Sequence, residues 1–393
     1  MISVPSLLIG STLIAGLRFT DALLAGFIGF AVVVAFMSLE SVAAVEQRLD
    51  TVRLAASSFG RSGARVVVGL ALGASLLGWF GVQSGVAGSS FTRIADLSWG
   101  IAVAPWMASL VLGLFMMLTA VFGFRYLKWL NAIAVPCKIL LVGYAVVVAF
   151  QSRSFDIILQ YRPDPSRQLD IWTAIGLSIG FFSVGGVISP DYASHAATRR
   201  DAVLGSVLGL LPAAFGLAAC GAMLVIVQHT YDIVDIYARL GRPILALTVL
   251  IVAAWTTNVM NAYSSGLALN QLFHWPQERQ RIATLIAGVL GSLLAASGIL
   301  NNFAQFLTLL TTAIPPIAGV LVSDYWIARS YRRDTDALVN PFGVLSWALG
   351  VGTMFVISHP LRNVLGMIVA AIGYFALVKL HAVGRAPAAS ADR

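Results

Sequence analysis

The sequence predicts an all-α, multi-pass membrane protein of about twelve transmembrane helices. Three observations carry that expectation. Of 393 residues, 59% are hydrophobic and only 11% charged, whereas a soluble chain carries about 25% charged residues. There is too little charge to clothe a core of this size in water. The apolar residues also come in runs of about 20, the length a helix needs to cross a ~30 Å hydrocarbon core. Finally, the runs are apolar all round instead of alternating, which excludes the short strands of a membrane barrel. An ordinary soluble enzyme, a nucleic-acid-binding domain and a disordered chain are excluded with them.

The spans fall near 2–17, 22–43, 64–89, 101–123, 129–150, 169–190, 201–228, 243–273, 281–300, 303–328, 342–358 and 363–382. The first is short, reaching only about 24 Å as a helix, and it carries Pro5, Gly10 and Gly16. It reads as half of a broken helix, or as a span whose beginning is missing. With no charged leader and no cleavage site it does not read as a signal peptide. The fifth span holds Pro136 and Lys138. That lysine is expected to snorkel to the interface or to pair with a carboxylate in the bundle. The sixth ends Gly185-Gly186-Val187-Ile188-Ser189-Pro190. The glycine pair lowers helix propensity by about 2 kcal/mol against alanine, and Pro190 removes a donor. Two readings stand: a helix break at the glycines, or a site of close helix packing. Broken first and sixth spans point to an inverted-repeat transporter, five helices followed by five inverted ones.

Orientation follows from the cations. Of 25 Lys and Arg, placing the N-terminus inside puts 16 in cytoplasmic segments and 8 outside, with Lys138 within a span. Both termini are therefore expected to be cytoplasmic. The net charge of +8 has the same origin, since no basic run is interleaved with aromatics as nucleic-acid binding requires. Cys137 and Cys220 have no metal or disulfide spacing and read as packing residues.

Catalytic motifs are missing. There is no HExxH, no GxxxxGK[ST], no GxGxxG after a strand and no Ser/His/Asp set, so the chain does not read as an enzyme. A channel would need a continuous polar stripe, whereas polarity here gathers at mid-span. Asp191 and Asp324, at the ends of spans six and ten, read first as helix caps or partners of loop arginines.

Span eight carries Ala253-Ala254-Trp255-Thr256-Thr257-Asn258-Val259-Met260-Asn261, a run of hydroxyls and amides that lipid would penalise unless it faces the interior. The two threonines with backbone carbonyls would suit a monovalent cation. They can equally back-bond within their own helix. In span three, Trp79 and Gln83 share a helix face: a π surface with an amide one turn away suits a flat, hydrogen-bonding ring. Phe181 or Phe182 is placed to supply the ring's other side.

Taken together, GSTLIAGL at 10–17, GWFGV at 78–82, PDY at 190–192, WTTN at 255–258, YSSGL at 263–267 and IPPIAGVLVSDYW at 314–326 resemble the nucleobase:cation symporter-1 family. These are the cytosine/purine permeases and their hydantoin and allantoin relatives. The resemblance implies a leucine-transporter-type fold in one transmembrane domain, 1–393. Helices 1–5 would form one repeat (1–150), helices 6–10 its inverted copy (169–328), and 342–382 two extra helices, with the first helix truncated. It implies import of a nucleobase or related heterocycle by alternating access, coupled to sodium or to protons, with no cofactor, by a monomer in the plasma (inner) membrane. Trp79 would stack on the substrate, Phe182 would close its other side, and Gln83, Asn258 and Asn261 would read its polar edge. Ala253, Thr256, Thr257 and Ile2 would ligate sodium.

Two departures from the family pattern stand out. Cytosine-type members carry glutamine three residues before the stacking tryptophan, where this chain has Leu76. Gln83 instead occupies a position that hydantoin-type members use. One of the family's two span-one sodium carbonyls maps to Ile2, and the other would precede Met1.

Overall fold

The computed structural model describes residues 5–122, 127–151, 154–230, 233–332, 337–359 and 361–384. Among the described residues all regular structure is helical. Six helices among the described residues are long and apolar enough to cross a membrane: Phe19–Gln47, Arg61–Trp99, Arg199–Gln228, Pro243–Leu272, Ile299–Ala328 and Arg362–Ala382. Shorter apolar helices, Pro5–Ile14, Pro105–Val121, Pro136–Phe150, Ile171–Val187, Gln280–Ala296 and Pro341–Val356, lie at the other expected positions. Large apolar side chains stand outward from them: Leu140 is 71% exposed and Val356 83%. Water would penalise that surface and lipid would not.

Packing divides the chain into two compact units. Both draw on segments from 1–150 and from 169–328.

The first unit comprises Met1–Ala31, Leu72–Phe181 and Leu208–Thr308. In it the Pro5–Ile14 helix lies along Gly216–Gln228 almost backbone to backbone. A Cβ on Gly10 would stand 1.8 Å from the Ala218 carbonyl oxygen, and one on Gly221 2.3 Å from that of Leu7. Small residues allow this approach, and approach is what holds helices together where lipid supplies no hydrophobic drive. Gly10→Ala is therefore expected to destabilise the protein by about 1–3 kcal/mol, the usual cost of overpacking. Thermal unfolding in detergent would show it, and an unchanged midpoint would mean these helices do not touch as described. Elsewhere in the unit, Phe80, Met116, Met117, Ala254, Val259 and Ala262 form one buried cluster. Asp235, 6% exposed, joins Arg93 at 2.7 Å to Arg239 at 3.1 Å.

The second unit comprises Val32–Ala71, Phe182–Val207 and Leu309–Arg393. Here the sixth span decides between the two readings of Gly185-Gly186. Its helix runs through Gly185-Gly186 to Val187, interrupts at Ile188 (φ −83°, ψ 1°) and resumes over Ser189–Ala193. The reason is packing. A Cβ on Gly186 would lie 2.3 Å from the Phe36 ring, so glycine is there to admit that ring, and the interruption is left to the residues before Pro190. Beyond it, Asp191 Oδ1 accepts from the Thr51 amide at 2.8 Å, at the start of the Thr51–Phe59 helix, where Asp50 accepts from Arg53 N at 2.9 Å. Two acids thus satisfy donors that a helix start leaves free. Burial pushes the Asp191 carboxyl above its ordinary range, opposed by that same amide.

Asp324 meets no arginine among its described partners. It accepts from the hydroxyls of Ser57, Ser330 and Tyr374. Tyr325 beside it donates to Glu46, which also takes Arg199 Nε at 2.7 Å, and Ser323 Oγ donates to the Ala371 carbonyl at 2.7 Å. These three consecutive residues lie in a π-helical turn, Ser323–Ala328, that follows Pro315–Val322 and ends at Arg329 with φ 51°.

Candidate functional site

The residues expected to bind substrate and cation lie on the helices Arg61–Trp99 and Pro243–Leu272, except Phe182 and Ile2. The GWFGV stretch explains itself by packing. A Cβ on Gly78 would stand 2.3 Å from the Phe306 ring, so glycine makes room for a phenylalanine beside Trp79. Phe80, fully buried, points the other way into the core cluster. Trp79 is half-buried. Phe181, Phe303 and Phe306 surround it with centroids 5.4, 6.0 and 5.5 Å away and interplanar angles of 89°, 72° and 79°. These are edge-to-face contacts, the arrangement that aromatic quadrupoles favour. Phe182 belongs to the second unit, where its ring lies against Gly185, one turn further along its own helix. Phe303 and Phe306 were not legible from the sequence, because a phenylalanine in an apolar span carries no signal of which neighbour it meets.

One turn after Trp79, Gln83 is 2% exposed. Its Oε1 has no hydrogen-bond partner among the described residues. An acceptor left so costs about 1–3 kcal/mol. Its neighbour Ser84 takes 2.9 Å from Asn258 Nδ2, which also donates to the Phe80 carbonyl at 3.2 Å. Asn258, fully buried, therefore clamps the two helices together. Its Oδ1 accepts from Asn261 Nδ2 at 3.5 Å, so the two amides are neighbours. Trp255 anchors the same helix through Nε1 to Thr119 Oγ1 at 2.6 Å.

The expected cation ligands form one turn. Thr256 Oγ1 donates to the Ala253 carbonyl at 2.9 Å and Thr257 Oγ1 at 3.4 Å. Ile2 lies outside the described residues. A third donor reaches the same carbonyl: Lys138 Nζ, at 3.3 Å, from a side chain 5% exposed. The lysine thus turns inward to a backbone oxygen on the facing helix. The residues present do not fit a sodium ion. Sodium bound to the Ala253 oxygen would share it with an ammonium. Two unit charges 4 Å apart repel by about 4 kcal/mol at an effective dielectric of 20, and the described donors, all neutral oxygens, do not offset that.

Long apolar helices and polar groups held inside them at mid-helix are the anatomy of a multi-pass membrane transporter. The chain belongs to the family of permeases for cytosine/purines, uracil, thiamine and allantoin, whose model it matches over residues 1–380. It is 30% identical over 354 residues to the cytosine permease of Escherichia coli (strain K12), covering 87% of this chain and 80% of that one. It is 24% identical over 353 residues to the hydantoin permease of Microbacterium maritypicum, covering 82% and 70%. Its fold matches that of Mhp1, a nucleobase-cation-symport-1 family transporter, in a closed conformation with bromovinylhydantoin bound. That match has a TM-score of 0.80 at 20% identity, over 98% of this chain and 90% of that one. The fold is thus the leucine-transporter type expected from the sequence.

Proposed function

We propose that the protein imports a nucleobase or a closely related flat heterocycle across the inner membrane by alternating access, driven by a cation. Both termini would be cytoplasmic, the working unit a monomer, and 1–150 and 169–328 the inverted repeats whose rearrangement exposes the site to each side in turn. One observation carries the substrate class: the buried, unpartnered Gln83 Oε1 one helical turn from the Trp79 indole. An acceptor without a partner is satisfied by a ring N–H, and the indole offers the face on which that ring stacks. Asn261 would take a second polar edge, while Asn258 holds Asn261 and the Trp79 helix in register. The kinship with a cytosine permease and a hydantoin permease supports rings of this kind.

A second reading within the class is a hydantoin or allantoin substrate. It is favoured by Leu76 standing where cytosine-type relatives are expected to carry glutamine. Uptake of radiolabelled cytosine, uracil, adenine, hypoxanthine, allantoin and hydantoin into cells expressing the chain decides between the readings. The expected result is saturable uptake of one ring, competed by the same ring unlabelled. Entry of none above the level of untransformed cells would overturn the proposal.

A further inference from the structure

We propose that the Lys138 ammonium is itself the resident cation at the Ala253 carbonyl, tethered in the position where the family resemblance puts sodium, and that the protein binds no sodium there. The inference deepens the transport reading and rests on it only for what the cation does in the cycle. The argument is one of geometry. Lys138 follows Pro136 inside the helix Leu127–Phe150, which packs on Pro243–Leu272. Its side chain is withdrawn from the surface. An ammonium has three donors and no acceptor, so inside a bundle it must find oxygen. It finds the Ala253 carbonyl, 3.3 Å away.

That carbonyl is the acceptor on which Thr256 and Thr257 also converge. Three donors on one oxygen mark it as the electronegative focus of this turn. A mobile ion held there would release its charge to one side of the membrane in each cycle. A tethered ammonium stays, and it holds the helices 127–150 and 243–272 in one relative position. The repulsion between ammonium and sodium at this separation corresponds to roughly a thousandfold weaker sodium binding.

The test uses the full-length purified protein in detergent and needs no substrate. Thermal unfolding is compared in sodium chloride and in choline chloride at equal ionic strength, with radioactive sodium binding measured in parallel. The wild type is expected to show no sodium-specific stabilisation and no bound sodium. Lys138→Met, which keeps the bulk and removes the charge, and Lys138→Ala are expected to gain both. Lys138→Arg should remain insensitive. Sodium-specific stabilisation or binding in the wild type would overturn the proposal. So would well-folded Met and Ala variants that stay blind to sodium. Failure of every ring to be taken up would sink the transport reading and leave this outcome unaffected.

Discussion

Replacing Trp79 by alanine is expected to lower affinity for the transported ring by roughly 5- to 150-fold, the equivalent of ~1–3 kcal/mol for one stacked base. The indole is the large half-buried π surface on its helix face, one turn from a free acceptor. Phe181, Phe303 and Phe306 hold it edge-on without covering it by parallel stacking. Truncation also costs stability, about 3–5 kcal/mol for a packed tryptophan, so loss of binding alone would be ambiguous. Trp79→Phe resolves this: it keeps most of the packing and a smaller stacking face, and should bind at an intermediate level while unfolding close to the wild type. Calorimetric titration of the purified variants with the transported ring reads the effect. Equal affinity in all three proteins would remove Trp79 from the site.

Gln83→Leu should separate binding from stability in opposite directions. Leucine is similar in size and apolar, and it removes a buried acceptor that lacks a partner among the described residues. The unliganded protein is therefore expected to unfold at an equal or higher temperature, since an unsatisfied buried polar group is costly. Ring affinity should fall by about 10- to 100-fold, the worth of a lost hydrogen bond inside a desolvated site. A purely structural glutamine predicts the reverse, with stability falling and affinity following only as far as folding does. Measuring both quantities on one preparation decides between them.

The helical course of the chain was largely legible because lipid imposes one simple rule on long apolar runs. The eighth span, expected at 243–273, is the helix Pro243–Leu272. The Gly-Gly of the sixth span stayed open for a physical reason: glycine lowers helix propensity and also permits close contact, and sequence cannot say which use prevails. Phe36 is the deciding neighbour, and it comes from a helix about 150 residues away. Distance in sequence also hid the environment of Trp79, whose ring neighbours Phe181, Phe303 and Phe306 lie more than 100 residues away. Gln83 was readable as a candidate because a polar side chain in an apolar helix needs an explanation. That its oxygen lacks a partner was not readable, since satisfaction depends on every surrounding atom. Lys138 was conspicuous as the cation within a span, but that its Nζ reaches the Ala253 carbonyl depends on which face of the fifth span meets the eighth.

The π turn at Ser323–Ala328 makes the spacing of residues there a matter of phase. A π turn holds one residue more than the α turn it replaces. Deleting a single residue from the α-helix Pro315–Val322 ahead of it would turn the three residues that open the π turn by about 100°. Ser323, Asp324 and Tyr325 reach partners on three other segments, at Ala371, Ser57 and Glu46, and no one rotation restores all three. Chains that keep these contacts must therefore also keep the count of residues between Pro315 and Tyr325, even where the identities drift.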